Sequence, residues 1–131
     1  MTMVQLLECQ DRQWLQLRCQ EAGLPFDGQT GAFVASEEEN RLGWCIFHLQ
    51  GERAVIQWIH ALPGQGPGLV DGLVRASLSF CYGRGGRRAD FAPSVDRESR
   101  SAMEIMNCPQ FQDLDIYNFL YLCKNCQKSD K

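Results

Sequence analysis

The chain has 131 residues, room for one domain with a substantial core, and 44% of them are hydrophobic, which argues against disorder. A net charge of −3 gives no electrostatic reason to expect nucleic acid. No apolar run approaches the roughly 18 residues needed to cross a bilayer, and the start, Met-Thr-Met-Val-Gln, lacks the basic region and apolar core of a signal peptide, so no membrane contact and a cytoplasmic location are expected.

In chain order, Val4 to Cys9 reads as a first strand. Asp11 can cap a helix over Arg12 to Ala22, with Trp14, Leu15, Arg18 and Cys19 at helical spacing and Gly23 ending it. Leu24 to Gly31, with Pro25 and two glycines, is a loop. Strands over Gly31–Ser36 and Leu42–Leu49 flank a charged turn at Glu37, Glu38, Glu39 and Asn40. Gln50-Gly51-Glu52 is a tight hairpin turn into a fourth strand, Arg53 to Leu62. Plain alternation there puts Val55, Gln57, Ile59 and Ala61 on one face and Ile56, Trp58, His60 and Leu62 on the other.

A loop of glycine, proline and glutamine follows, and then a helix with Leu69, Leu73, Ala76 and Phe80 at its centre, widened by Val70, Val74 and Leu78 and stopped by Gly83 to Gly86. Arg88 to Ala92 makes a short fifth strand and Asp96 to about Met106 another helix. Pro109 breaks that helix, and Ile116 to Cys123 reads as a last, aromatic strand. Strand, helix, three strands, then helix–strand–helix–strand predicts an α/β (α+β) fold: a single domain over residues 1–131, with a mixed, mostly antiparallel sheet flanked by helices on both faces.

The strand–glycine loop–helix junction at residues 59–82 is where chemistry is expected. Such a junction presents N–H groups at a helix N-terminus, where the macrodipole favours a phosphate. Gly64, Gly66 and Gly68 allow close approach of a ligand, whereas Pro67 has no N–H to give. A dinucleotide fingerprint fails because Leu69 stands where glycine is required, and a triphosphate P-loop fails for want of Gly-Lys-Ser/Thr.

The seven cysteines are odd in number, and Cys9, Cys19, Cys45 and Cys81 lie in apolar segments where a thiol acts as a small hydrophobe. A disulfide framework is not expected. Cys123 and Cys126 have zinc-like spacing, joined at most by Cys108, but no second pair completes four ligands, so no metal is expected. A redox role would place the pair at a helix N-terminus rather than a strand end. Arg84, Arg87 and Arg88, with Arg75, Arg97 and Arg100, make the middle of the chain basic. They read as complements to a helix C-terminus or as a patch for an acidic partner, without the aromatic interleaving of an RNA site.

With these elements in place, the chain resembles the GCN5-related N-acetyltransferases, which bind acetyl-CoA with a Gln/Arg-x-x-Gly-x-Gly/Ala loop after the fourth strand. Here the loop is Gln65-Gly66-Pro67-Gly68-Leu69-Val70, with Val70 at the Gly/Ala position, preceded by Leu62-Pro63. Members often show Asn-x-x-Ala-x-x-Leu-Tyr and then a Gly-Phe pair; here Ser99, Ala102, Ile105 and Met106 keep that spacing, and Gln110-Phe111 follows. The optional helix that the family can carry before the second strand is missing.

The resemblance implies acetyl-CoA as co-substrate, held by Leu62, Gln65, Gly66, Gly68, Leu69, Val70 and Ser99, and an acetyl group passed to a small-molecule or peptide amine. Met106 stands where the family often has a proton-donating Tyr, so catalysis would rest on positioning and polarisation. His60, at the end of the fourth strand, is the candidate base, since imidazole titrates near neutrality. A lone histidine in an apolar strand is more often a hydrogen-bonded core residue. Glu37 to Glu39 read as a solvated turn, with a carboxylate–water relay as the alternative. Trp14, Phe26, Trp44 and Phe119 could line the acceptor side or the core. Edge strands in such folds commonly pair between subunits, which leaves a homodimer open. A non-catalytic binding or interaction module with the same fold is the second reading, to which Met106, Pro67 and Val70 point.

Overall fold

The computed structural model describes residues 3–122. Its elements are β1 (Val4–Glu8), α1 (Arg12–Ala22), β2 (Thr30–Glu37), β3 (Asn40–Gln50), β4 (Arg53–Ala61), α2 (Pro67–Gly83), β5 (Arg88–Phe91), α3 (Arg97–Ile105) and β6 (Leu114–Asp115), then a π-helical turn, Asn118–Leu122. The six strands form one sheet in sequence order, antiparallel except for β4 and β5, which run parallel through the α2 crossover. The mixed, mostly antiparallel sheet expected from the sequence is the one observed.

Local chemistry sets α1 to the residue. The Asp11 carboxylate accepts from the Trp14 N–H at 3.0 Å, and Gly23, at φ 70°, receives the end of the helix in the left-handed conformation. Leu15 and Cys19 of α1 pack on Ala32 and Ile46 on one face of the sheet. α2 and α3 build the larger core on the other face, where Leu73, Val74, Leu78 and Met103 meet Phe47, Ile56 and Phe91. The buried stripe of α2 runs through Val70, Leu73, Val74, Ser77, Leu78 and Cys81, one residue round from the expected centre, so Leu69, Ala76 and Phe80 lie at its margins.

Two expectations are corrected. Alternation along β4 is broken: Ile46 pairs with Trp58 but Phe47 pairs with Ile56, which leaves Gln57 as an extra residue in a β-bulge. Ile56 therefore joins Ile59 and Ala61 in the α2-side core, while Trp58 turns to the α1 side. The second correction concerns Ile116 to Cys123. Only Leu114–Asp115 pairs with β5, and the chain then winds into the π-helical turn, with the Asp115 carboxylate accepting from the Asn118 N–H at 3.1 Å. Ile116 and Phe119 are buried three residues apart, a spacing that an uninterrupted apolar run conceals. Tyr117 and Tyr121 are about half exposed and contact each other and Tyr82, with ring centroids 5.1–6.3 Å apart.

The turn is latched to α2. Arg75 Nε donates to both oxygens of the nearly buried Asp71, at 3.1 and 2.9 Å, while Nη1 donates to the Phe119 carbonyl at 3.0 Å.

Candidate functional site

The bulge positions the site. β4 and β5 pair only over Arg53–Ile56 and Arg88–Phe91, and the last bond across the join runs from the Ala92 N–H to the Ile56 carbonyl, 2.8 Å. Beyond it the extra residue bends β4 away. Ser94 spans the opening by donating its hydroxyl to the Gln57 carbonyl, 2.6 Å. Arg100 fixes the segment between β5 and α3 through the carbonyls of Val95, Ala92 and Phe91, at 3.1, 2.7 and 3.4 Å. The parted strands leave a cleft of about 910 Å³ walled by the end of β4, the loop before α2 and the first two turns of α3.

Of the residues singled out from the sequence, His60, Leu62, Gln65, Gly66, Val70 and Ser99 line this cleft. Gly68 and Leu69 lie in the first turn of α2 but are not among its lining residues, and Leu69 packs against the core. Val70 is 6% exposed and packs in the α2-side core as well as lining the cleft. Pro67 is the first helical residue, where a missing N–H costs the helix nothing.

The loop is held open from within the chain. The Leu62 N–H donates to Leu42 at 2.9 Å and the Gln65 N–H to Leu62 at 3.3 Å. Gly64 has a φ of 91°, which calls for glycine. The helix start has no side-chain cap, and among the described residues the N–H groups of Gly64, Gly66 and Gly68 find no acceptor. A Cβ added at Gly66 or Gly68 would meet nothing within 4 Å. Neither glycine is demanded by the packing of the protein itself, which is the pattern expected where the approaching group comes from outside.

His60 is half-buried and stacks on Trp44, with centroids 4.3 Å apart and planes 28° apart. Its ring makes no hydrogen bond among the described residues. Opposite Ile59 on β3, burial pushes the Cys45 thiol up to about 12, so it stays protonated and is no nucleophile. Ser99 is 6% exposed and lines the cleft, and its hydroxyl has no hydrogen-bond partner among the described residues. Met106 follows the end of α3 as its cap residue. Glu38 and Glu39 are exposed in the β2–β3 turn, away from the cleft, and Phe119 is core. Cys123 and Cys126 lie outside the described residues, and among those described no group of three or more His, Cys, Asp or Glu could hold a metal.

Sequence reasoning missed Trp58, Asp96 and Glu98 as site residues; they also line the cleft, as do Arg97, named only in the basic run, and Ile105, named only in the α3 motif. The spacing of Glu98, Ser101, Ala102 and Ile105 marks one face of α3, but nothing in the sequence says that this face meets an opening. The arginines expected to complement a helix end are only partly that. Arg87 donates to the Tyr82 carbonyl at the end of α2 (3.0 Å), Arg84 lies over the Phe80 ring, and Arg75 and Arg100 are committed to the bonds above.

No protein-family model matches the chain and no curated protein is a significant match. Solved structures do match its fold. The ribosomal-protein-alanine N-acetyltransferase from Brucella melitensis biovar Abortus 2308 superposes with a TM-score of 0.59 at 17% identity, over 84% of this chain and 93% of that one. The aminoglycoside N-acetyltransferase AAC(6')-Iy in complex with CoA gives 0.61 at 13% identity, over 88% and 91%. A GNAT-family acetyltransferase from Streptococcus pneumoniae TIGR4 gives 0.58 at 12%, over 81% and 87%. At these identities the likeness is one of fold: the chain has the fold of the GCN5-related N-acetyltransferases.

Proposed function

We propose that the chain, as a single domain of this fold, binds acetyl-CoA in the β4–β5 cleft and transfers the acetyl group to a primary amine. One observation carries the reading: the strands part at Gln57 directly beside an uncapped helix start whose glycines the protein does not itself need. In this reading the pantetheine arm lies between the parted strands, against Leu62 and Ser99. The N–H groups of Gly64, Gly66 and Gly68 and the positive end of α2 receive the diphosphate, with Gln65 beside them.

The co-substrate supplies an activated acetyl thioester. The amine nitrogen bonds to the carbonyl carbon, the carbon–sulfur bond breaks with its electron pair leaving on sulfur, and the proton shed by the amine passes to His60 or to water. A proton returns from water to the thiolate, since Met106 has none to give. Rate then comes from placement of the amine and polarisation of the carbonyl.

Gly68→Ala tests this with two readouts of opposite sign. In the first turn of α2 alanine is the better helix former by about 0.8 kcal/mol and its methyl meets nothing, so the variant should be at least as stable as the parent. In this reading its affinity for acetyl-CoA should fall about tenfold by calorimetry, because a methyl at position 68 crowds the N–H that is to receive the diphosphate. Absence of acetyl-CoA binding by the parent at millimolar ligand would end the proposal. Binding without release of CoA across a broad amine panel would support the non-catalytic module instead.

A further inference from the structure

Because β4 and β5 have parted, the cleft opens toward both faces of the sheet. The α2 and α3 side carries the glycine loop. The α1 side carries a continuous run of aromatic rings. Trp58 and His60 line the cleft itself. Trp44 lies against both, with centroids 5.4 Å from Trp58 and 4.3 Å from His60, and Trp14 of α1 closes the run 5.3 Å from Trp44. All four side chains are half-buried rather than sealed. Leu24 and Phe26 of the connection from α1 to β2 pack in the same cluster, and Arg12 ties that connection down through the Thr30 and Asp27 carbonyls, at 2.7 and 2.9 Å.

Charge grades this run from one end to the other. At the outer end Arg41 and Arg18 lie over the Trp14 ring, at 4.7 and 5.6 Å, so a second cation is repelled there. The cleft end carries Asp96 and Glu98 with Arg97 between them, so the acids there outnumber the single cation. Asp96 occupies the N-cap position of α3 without its carboxylate capping an N–H, and neither acid has an ion-pair partner among the described residues. A ligand matched to this gradient has one positive end in the cleft and a flat, uncharged body lying outward along the rings.

We propose that the acceptor is an arylalkylamine: a primary amine whose ring packs on Trp58 and His60, the two rings that Trp44 supports from behind, while its nitrogen enters the cleft. The proposal rests on the acetyl-transfer reading above, and its products are the N-acetylated aryl amine and free CoA. Polycationic acceptors are disfavoured, because their second charge would fall near Arg41 and Arg18.

The experiment separates the two readings. Calorimetry with acetyl-CoA comes first; no binding by the parent overturns the acetyl-transfer reading itself and this proposal with it. CoA release is then followed with phenethylamine, tryptamine, n-hexylamine and spermidine. The expected kcat/KM for the two aryl amines is about tenfold above hexylamine, the scale of aromatic ring pairing, with spermidine lowest. Trp44, which does not line the cleft, is replaced next. Trp44→Leu should raise KM for the aryl amines about tenfold and leave the acetyl-CoA Kd within about twofold, which also reports an intact fold; Trp44→Phe should recover most of the loss. If Trp44→Leu does not fold, the parent panel and Trp44→Phe decide. Binding of acetyl-CoA with hexylamine or spermidine preferred, with equal rates for all four amines, or with no CoA release, overturns the aromatic acceptor while leaving acetyl-CoA binding intact. So does a Trp44→Leu effect equal on every amine.

Discussion

Gly43→Ala should damage the fold and the cleft together. Gly43 is buried on β3 directly opposite Ala61, at the end of β4 that feeds the glycine loop. A Cβ there would meet the His60 carbonyl oxygen and, at 3.2 Å, the Ala61 Cα. Both are backbone atoms, so no side chain can swing aside, and β4 must move. Overpacking of this kind costs about 1–3 kcal/mol, offset by about 0.4–1 kcal/mol because alanine has less freedom than glycine in the unfolded chain. The net loss is about 1–2 kcal/mol, a fall in Tm of roughly 4–8 °C for a domain of this size. The Leu62–Gly66 segment follows β4, and acetyl-CoA affinity should drop at least about tenfold, since displacements on the order of 1 Å cost about a hundredfold in positioned chemistry. Chemical denaturation and calorimetry measure the two effects. Gly28→Ala, where a Cβ meets nothing within 4 Å, is the control and should change stability by no more than about 0.5 kcal/mol. A Gly43→Ala protein that melts and binds like the parent would show that the β3–β4 spacing does not set the loop.

Arg75→Met should destabilise by about 3 kcal/mol, because it strands the nearly buried Asp71 carboxylate and frees the Phe119 carbonyl; adding Asp71→Leu should restore much of that in denaturation midpoints. Asp11→Ala removes the bond to the Trp14 N–H and should cost about 1 kcal/mol, read by thermal melting. Burial pushes the Cys45 and Cys81 thiols up to about 12 from 9.0. Folded pKa values raised above the unfolded value give stability that is complete below pH 9.0 and lost as pH climbs toward about 12, so alkaline melting curves should fall across that window. Native alkylation at pH 8, read by peptide mass spectrometry, should leave both thiols unmodified; rapid labelling would refute their burial.

Elements whose ends are set by local chemistry were legible in the sequence. Asp11 and Gly23 fix α1, and the Gly51 turn fixes the β3–β4 hairpin, because a cap or a positive φ is a property of a few adjacent residues. The order of strands and the glycine loop followed, and with them the fold. Gln57 was not legible: a single extra residue changes no local preference, and its effect exists only in register with Ile46 and Phe47. The π-helical turn hid in a run too uniformly apolar to betray its period. Half of the cleft was hidden for the same reason as the bulge. His60 and Gln65 could be named from one strand and one loop, whereas Asp96 and Arg97 reach the opening only because β5 ends where β4 turns away.

The extra residue at Gln57 has a consequence for chain length. Were position 57 lost, ordinary alternation would still send Ile56 and Ile59 inward and Trp58 and His60 outward, so neither core would change occupants. What would vanish is the bend, and the end of β4 would lie closer to the segment after Phe91 that Arg100 holds. The shortened chain could keep its architecture and its melting behaviour while having nowhere to put a ligand. What the cleft depends on is the count of residues between Ile56 and Trp58.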